Sequence, residues 1–313
     1  MLSFIRRFKP AYSAYNFFFR SRLEHNMPMY RKYGLNKSYF SSVSSRDFMN
    51  LNEPELSQSL GKDDASRSDA FKRLSPENQE SVLHFYEKGY TILRGFFSRE
   101  QTEGVNKEIQ ALLNSGKVSF KYKNKIMFAI YHSALLRSVG ENPDLLEILS
   151  LLMGRKAVLF QSINFINGSQ QRTHSDSIHM TTYPLGGMAA CWLALEDVKS
   201  DQGALHYFPG SHKLPYYLNS DYDNEGSALL TGSKTYSEYE DFIQKKIEEH
   251  GIKKEVFEAS AGDILIWHAN LFHGGEAHTN KAKTRKSMVF HYFAEGVVCY
   301  HEITQRPALI RKF

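Results

Sequence analysis

Short apolar runs separated by turn residues dominate the chain from about residue 157 onward, and this pattern restricts the fold more than any other feature. Most of the runs are too short for a typical helix, and Gly, Pro, Asn and Asp stand between them. Many short strands in succession are typical of packed antiparallel sheets, so the sequence predicts a β-sandwich or jelly roll. The predicted strands cover residues 157–166, 188–195, 204–208, 256–259, 263–267 and 287–293.

Helical signals precede this series of strands. Residues 75–77 read Ser-Pro-Glu, which supplies an N-cap, a proline at the first helical position and an early acidic residue. Gly89 is expected to end this helix, and a short strand is predicted at 90–94. A second helix should begin after Ser98 and run to about residue 113. The predicted fold is therefore mainly β with flanking helices.

The chain divides by composition into three predicted parts. Residues 1–40 form a basic, aromatic N-terminal segment, and residues 41–74 are rich in Ser, Asp, Asn and Glu, which predicts a linker or loop. Residues 75–313 form the predicted catalytic domain. Within it, residues 216–250 interrupt the strands and are expected to be an insertion with a helix at 236–249.

The positive charge is confined to the N-terminal segment. Residues 1–50 contain nine Lys and Arg against two acidic residues, for a net charge of +7, while the remaining chain has a net charge of −2. An enzyme that binds nucleic acid usually spreads basic residues around its working groove. The distribution therefore argues against a nucleic-acid partner.

Three interpretations fit a basic and aromatic segment at residues 1–40. It could be an arm packed on the catalytic domain, a peripheral contact with an anionic membrane, or a transit peptide. We expect a cytoplasmic protein, with a mitochondrial location as the alternative if this segment includes a transit peptide. The sequence leaves the oligomeric state open.

Cysteine content and apolar runs exclude other classes. Cys191 and Cys299 are the two cysteines in the sequence, which is too few for a disulfide scaffold or a Cys-rich zinc module. No apolar run approaches the roughly 20 residues needed to cross a bilayer.

A possible metal site lies in the strand-rich half. His174 and Asp176 are two residues apart, and an extended segment would direct both side chains to one face. His273 follows a predicted buried strand and precedes two glycines. Two histidines and one carboxylate match the facial triad of non-haem Fe(II) oxygenases. His268 is a less favoured ligand, and Arg285 could bind a carboxylate beside the metal.

Over about residues 75–295, the order and spacing of these features resemble the phytanoyl-CoA dioxygenase family of Fe(II)/2-oxoglutarate oxygenases. That family has a double-stranded β-helix (jelly-roll, cupin-like) core. The motifs that carry the resemblance are His174-x-Asp176, the strand from Cys191 to Leu195 with Asp197, Gly203-Ala-Leu before Pro209-Gly-Ser, Gly262-Asp263, His273-Gly-Gly and Arg285.

The resemblance implies Fe(II) held by His174, Asp176 and His273, with 2-oxoglutarate and O2 as cosubstrates. Arg285 would pair with the distal carboxylate of 2-oxoglutarate, and Trp192 would lie near it. Related halogenases replace the aspartate by a small residue, so the aspartate retained here favours hydroxylation.

Two positions of the preceding strand are implied to line the pocket, namely Gln161 and Asn164. One departure is Gly275, where the family often has Ser, and it leaves the secondary contacts to the cosubstrate open. Lys121, Lys123 and Lys125 either form a solvated edge or meet an anionic substrate.

The function implied by the resemblance is hydroxylation of a small organic substrate, with release of succinate and CO2. That substrate could be an acyl thioester or a glycan-linked or secondary metabolite. Two alternatives are a metal-dependent cupin-type lyase or isomerase that does not use 2-oxoglutarate, and a catalytically silent binding protein. The cupin alternative gives no reason for the cation at Arg285.

Overall fold

Antiparallel β-sheets form the centre of the computed structural model, which describes residues 7–56 and 60–311. The strands in these ranges are short, as the turn-rich sequence predicts. They are β1 (Tyr90–Leu93), β2 (Phe120–Lys121), β3 (Lys125–Met127), β4 (Ala157–Phe165), β5 (Thr181–Tyr183), β6 (Met188–Ala194), β7 (Leu205–Tyr207), β8 (Glu255–Phe257), β9 (Ile264–His268), β10 (His273–Gly275), β11 (Ser287–Ala294), β12 (Val298–His301) and β13 (Arg306–Pro307).

The strands form one large and two small sheets. The large sheet has the order β1-β9-β6-β11-β4-β3-β2, and the small sheets have the orders β10-β7-β8 and β13-β12-β5. Every pair of neighbouring strands is antiparallel. Side chains of β4, β6 and β9 pack with those of β7 and β8 in one apolar cluster, so these sheets face each other. This is a jelly roll, which confirms the predicted fold class.

Alternation of side chains along the central strands separates two apolar cores. In β6, Trp192 packs between the facing sheets, whereas Cys191 and Leu193 pack on the other side of the large sheet. In β9, Trp267 likewise packs between the facing sheets, and Ile266 packs on the other side of the large sheet. A strand buried on both faces has few polar residues, which explains why β6 reads as a continuous apolar run.

Helices cover the outer face of the large sheet. The buried apolar residues of the helices Arg99–Asn114, Ala134–Gly140 and Pro143–Met153 belong to the same apolar cluster as the outward side chains of β6 and β11. The α-helices of the described ranges are α1 (Lys9–Phe17), α2 (Arg20–Leu23), α3 (Met27–Lys32), α4 (Lys62–Ala65), α5 (Asp69–Arg73), α6 (Pro76–Leu83), α7 (Phe85–Lys88), α8 (Arg99–Asn114), α9 (Ala134–Gly140), α10 (Pro143–Met153) and α11 (Tyr236–His250).

Local capping fixes the ends of the predicted helices. The Ser75 hydroxyl accepts a hydrogen bond from the Asn78 backbone at 3.3 Å, and Ser98 and Gln101 form a capping box. Gly89 has φ 83°, a left-handed conformation that costs glycine little. The predicted ends are therefore close to the observed ones, but the first predicted helix is interrupted at His84, which separates Pro76–Leu83 from Phe85–Lys88.

The predicted insertion contains α11. Its buried side chains, Tyr239, Ile243 and Ile247, pack in one cluster with Ile178 and Phe272. Since Ile178 follows Asp176 by two residues and Phe272 precedes His273, the helix braces the segments that carry two of the predicted metal ligands. The helix at 236–249 is confirmed within one residue at its end.

The described part of the N-terminal segment packs against the small sheet β13-β12-β5. Leu23 and Tyr30 are fully buried, and the Asn26 side chain makes two hydrogen bonds to the Cys299 backbone, at 3.1 and 3.3 Å. Tyr30 shares an apolar cluster with Tyr183 and Tyr300. This arrangement agrees with the interpretation of a packed arm, while residues 1–6 of the predicted segment lie outside the described residues.

The segment predicted as a linker or loop is more ordered than its composition suggests. It contains the 3-10 helix Ser45–Phe48 and the helices α4 and α5. A capping box at Ser44 and a side-chain cap at Ser68 stabilise two of these turns. Helices of four or five residues carry too few apolar positions to show a period, so the sequence pattern could not reveal them. Residues 57–59 lie outside the described ranges.

Among the described residues, no helix combines the length and apolar character required to cross a membrane.

We predict that Tyr30→Ala destabilises the whole domain. The ring is fully buried between the arm and the small sheet, and replacing a buried aromatic residue by alanine costs about 3–5 kcal/mol. Denaturant unfolding of the full chain measures the change. Phe18→Ala is the matched control, because that ring is 80% exposed and its loss should change the free energy of unfolding by less than about 0.5 kcal/mol. Equal effects of the two substitutions would show that the arm is not part of the cooperative fold.

Candidate metal centre

An antiparallel backbone bridge brings two of the predicted ligands together. The His174 N–H donates to the His273 carbonyl at 3.0 Å, and the His273 N–H donates to the His174 carbonyl at 2.9 Å. The two imidazole centroids lie 4.6 Å apart. Asp176 follows after one extended residue and begins a 3-10 helix. The ligand atoms of all three side chains lie within 4.8 Å of one another, and all three are buried.

Backbone carbonyls orient both imidazole rings. Nδ1 of His174 is 2.9 Å from the Arg172 carbonyl, and Nδ1 of His273 is 2.9 Å from the Leu271 carbonyl. Because a carbonyl can only accept, each Nδ1 carries the proton and each Nε2 presents a lone pair. The Nε2 atoms of His174 and His273 lie 3.7 Å from Oδ1 and Oδ2 of Asp176, respectively. This is the donor set and orientation that a divalent metal requires.

The charges of the three side chains also fit a metal. Burial alone would raise the pKa of Asp176, but neighbouring His273, His174 and His291 hold it well below its usual value. The carboxyl is therefore ionised. Burial lowers the pKa of His273 to about 4, so this ring is neutral near pH 7. The Trp267 indole N–H donates to Asp176 Oδ2 at 2.9 Å and fixes the carboxylate.

Arg285 is a buried cation that has no carboxylate partner within 4 Å in the described part of the chain. Its Nε donates to the Gly203 carbonyl at 3.1 Å and its Nη1 to Ser287 Oγ at 2.9 Å. Burial lowers its pKa to about 10, which still leaves the guanidinium charged at neutral pH. A buried charge without a counter-ion is costly, so this site is built to receive an anion.

Trp192 stands beside this guanidinium, as the resemblance implies. Its ring centroid is 5.1 Å from the Arg285 guanidinium carbon. The indole Nε1 is buried and has no hydrogen-bond partner among the described residues. An unpaired donor and an unpaired cation next to each other fit a carboxylate ligand such as one end of 2-oxoglutarate.

The triad and the anion site share one cavity of about 450 Å3. Apolar side chains, among them Ile163, Leu205 and Val289, form much of its wall and limit access of water. Of the predicted site residues, the cavity brings together His174, Asp176, His273, Arg285, Trp192 and Gln161.

Asn164 is not brought to the cavity. Gln161, Ile163 and Phe165 alternate along β4 and line the cavity, which directs Asn164 to the opposite face of the strand. Asn164 is paired with Met288 and Ile126, two members of the apolar cluster beneath the helices. The expectation of a pocket role for Asn164 is therefore wrong, because residues three apart on a strand project to opposite faces.

His268 lies away from the triad. It follows Trp267 on β9 and therefore points to the other face, where its Nε2 is 3.3 Å from Glu55 Oε1. The structure thus supports the preference for His273 as the ligand.

Three further residues at the site, Gln171, Tyr236 and His291, were not assigned roles from the sequence, and they lie with Lys125. Lys125 donates to Gln171 Oε1 at 3.1 Å, and the Gln171 amide lies 3.1 Å from both His174 Nε2 and the Tyr236 hydroxyl. His291 Nε2 is 3.9 Å from Asp176 Oδ2. Lys125, Gln171 and His291 line the cavity, whereas Tyr236 lines an adjoining cleft. The position of Gln171 three residues before His174 was the one available signal.

A jelly roll that places two histidines and a carboxylate beside a buried cation defines a class, that of the non-haem iron oxygenases. The phytanoyl-CoA dioxygenase (PhyH) family model matches residues 85–287, which is more than half of the chain. The chain therefore belongs to the phytanoyl-CoA dioxygenase family.

Relatives and solved structures are similar to this chain. Phytanoyl-CoA dioxygenase domain-containing protein 1 of Danio rerio is 25% identical over 212 residues, which cover 68% of this chain and 65% of the relative. The chain thus spans less than two thirds of that relative. SnoK, a non-haem α-ketoglutarate-dependent carbocyclase from nogalamycin biosynthesis, has a TM-score of 0.62 at 17% identity and covers 78% of this chain and 96% of its own.

A second solved structure, the epimerase SnoN in complex with Fe3+, α-ketoglutarate and nogalamycin RO, has a TM-score of 0.55 at 19% identity. It covers 70% of this chain and 84% of its own. Its likeness and that of SnoK concern the fold.

We predict that His174→Ala and Asp176→Ala each abolish stoichiometric iron binding with little change in thermal melting. Each removes one of three ligands, while the apolar cores are untouched. The iron retained after anaerobic reconstitution and desalting gives the measurement. His179→Ala is the matched control, since this histidine lines the cavity outside the triad and should leave iron bound. Full iron retention by either ligand variant would refute the assignment.

Proposed function

We propose that this protein is an Fe(II)/2-oxoglutarate-dependent dioxygenase that hydroxylates a small organic substrate and releases succinate and CO2. One observation carries the proposal, namely that a buried guanidinium without a carboxylate partner in the described residues opens into the same cavity as the triad. A cupin-type lyase or isomerase would not need such a cation. Family membership supports the same reading.

The chain's own residues would divide the work as follows. His174, Asp176 and His273 would hold iron and leave three positions of an octahedral metal for other ligands. Arg285 and the Trp192 indole N–H would bind the distal carboxylate of 2-oxoglutarate. When bound, iron and 2-oxoglutarate would supply the oxidising chemistry with O2.

Other residues would position these groups and exclude water. The Trp267 indole keeps the Asp176 carboxylate turned toward the histidines, and the backbone carbonyls hold the Nδ1 protons, so that both Nε2 atoms present lone pairs. The apolar wall of the cavity limits side reactions with water. The carboxylate of Asp176 favours hydroxylation over halogenation, because it would occupy the metal position that related halogenases leave open by replacing this aspartate with a small residue.

The substrate would enter where Lys125, Gln171, His179 and Tyr236 meet, because the cavity adjoins a second cleft there. Three more lysines line or flank that cleft, and none of the four has a carboxylate within 4 Å among the described residues. We propose that this edge receives the polar end of an acyl thioester or of a glycan-linked or secondary metabolite. The additional lysines are Lys123, Lys281 and Lys283.

Binding of the cosubstrate tests the proposal through Arg285→Ala. Anaerobic wild-type protein with Fe(II) should develop a weak visible charge-transfer band as 2-oxoglutarate is added. In the variant, half-saturation should need at least about tenfold more 2-oxoglutarate, because a buried charge-assisted contact is lost.

Lys286→Ala is the matched control for this titration. Its ammonium group lies 3.8 Å from Glu196, and the side chain is partly exposed at the neighbouring position, so the titration should match wild type. Iron binding without any band in the wild type would favour the cupin-type alternative. Absence of iron binding would favour a silent binding protein.

A further inference from the structure

Among the described residues, exposed aromatic rings occur in two places, the segment with Phe120, Tyr122 and Phe128, and the N-terminal arm. Phe18 is 80% exposed, Phe17 is 54% exposed and Tyr15 is 51% exposed. Single exposed apolar residues are common on soluble proteins, whereas a contiguous group marks a surface that contacts another apolar phase or molecule. The three arm rings are not part of the lining of the metal cavity, whereas Tyr122 is.

The rings form two groups of contacting side chains, Tyr15 with Phe19, and Phe17 with Phe18, Tyr39 and Phe40; we call these six residues together the aromatic patch. The Phe17 ring centroid lies 5.7 Å from that of Phe18 and 5.6 Å from that of Phe40. The Tyr39 hydroxyl donates to the Phe17 carbonyl at 3.0 Å. The contacts join two stretches of the arm that are about twenty residues apart.

Arginine side chains lie among the rings of the patch. The Arg20 guanidinium carbon is 5.7 Å from the Tyr39 ring centroid, and that of Arg22 is 5.3 Å from the Phe19 ring centroid. The Arg20 side chain is 74% exposed. Residues 7–40 contain seven Lys and Arg and one acidic residue, Glu24. Three of these cations are ion-paired, Arg20 with Glu24, Lys32 with Glu53 and Lys37 with Asp47, and the others have no carboxylate within 4 Å in the described part of the chain. The surface is therefore both apolar and positively charged.

The opposite side of the arm is fixed to the domain. Leu23 and Tyr30 are fully buried, and Asn26 is hydrogen-bonded to the Cys299 backbone through both amide atoms. The patch is therefore presented on an ordered support, so little conformational entropy would be lost when it binds.

We propose that the aromatic patch docks reversibly on an anionic membrane surface. Aromatic rings enter the boundary between headgroups and acyl chains, and arginines pair with anionic headgroups. Charge complementarity selects this occupant over a neutral apolar partner, because the arm keeps basic side chains, among them Arg22 and Arg31, that have no carboxylate within 4 Å among the described residues. Neither signal alone is strong, so binding should require both.

The arm contacts the strand β13, which is next to a strand that lines the metal cavity. The Arg306 guanidinium carbon is 3.2 Å from the Tyr12 ring centroid. Arg306 lies opposite His301 on the neighbouring strand, and His301 lines the metal cavity. Docking would hold this side of the domain near the membrane. The proposal stands on the arm alone, so it is independent of the proposed reaction.

Sedimentation of the full chain with vesicles tests the proposal. We expect binding to vesicles of phosphatidylcholine mixed with phosphatidylserine, little binding to phosphatidylcholine alone, and release by raised salt. The double variant Phe17→Ala/Phe18→Ala should bind at least about tenfold more weakly than wild type, because the apolar area that inserts into the membrane is removed. Arg20→Ala/Arg22→Ala should weaken binding chiefly at low salt.

Val256→Ala is the matched control, since this side chain is exposed on β8 and makes no part of the patch. It should bind like wild type, and thermal melting should show that all variants are folded. Failure of the wild type to sediment with the anionic vesicles at low salt would overturn the proposal. So would equal binding to both vesicle types, or a Phe17→Ala/Phe18→Ala variant that binds like wild type. Light scattering that shows a wild-type dimer and a monomeric aromatic variant would instead identify a contact between copies.

Discussion

The two backbone hydrogen bonds between His174 and His273 are the contact on which the site depends. They join the segment after β4 to β10, and so they extend the small sheet β10-β7-β8 at the point where it faces the large sheet. The same two residues supply both imidazoles, which means that sheet geometry sets the distance between the metal-facing nitrogens. Ligands fixed by a strand pair are more precisely placed than ligands on a free loop.

Two buried charges in one cavity, the Asp176 carboxylate and the Arg285 guanidinium, are the second constraint. Asp176 is surrounded by histidines, and Arg285 is surrounded by a carbonyl, a hydroxyl and an indole. Within the described residues the two charges do not form a salt bridge with each other, and each would cost several kcal/mol if it stayed unpaired. Keeping these two charges apart in one cavity lowers the stability of the fold. A bound cation beside Asp176 and a bound anion beside Arg285 would offset this loss.

Much of this arrangement could be predicted from particular residues. The apolar runs and turn residues located the central strands within a few residues, and the caps at Ser75 and Ser98 located two helices. The spacing of His174, Asp176, His273 and Arg285 predicted four residues that the cavity brings together. The prediction that Asn164 lines the cavity was wrong, because the face on which a strand residue lies depends on the strand register, which the motif does not specify. Lys125, Gln171 and Tyr236 meet through tertiary contacts between three distant segments, and local sequence carries no such information.

Turnover of 2-oxoglutarate tests the central claim most directly. The full chain supplied with Fe(II), 2-oxoglutarate and O2 should form succinate in excess over protein, even slowly and without substrate, and Asp176→Ala should form none. This result follows if the buried triad and the unpaired guanidinium serve one reaction. A wild-type protein that binds iron and 2-oxoglutarate and yet forms no succinate would contradict the account.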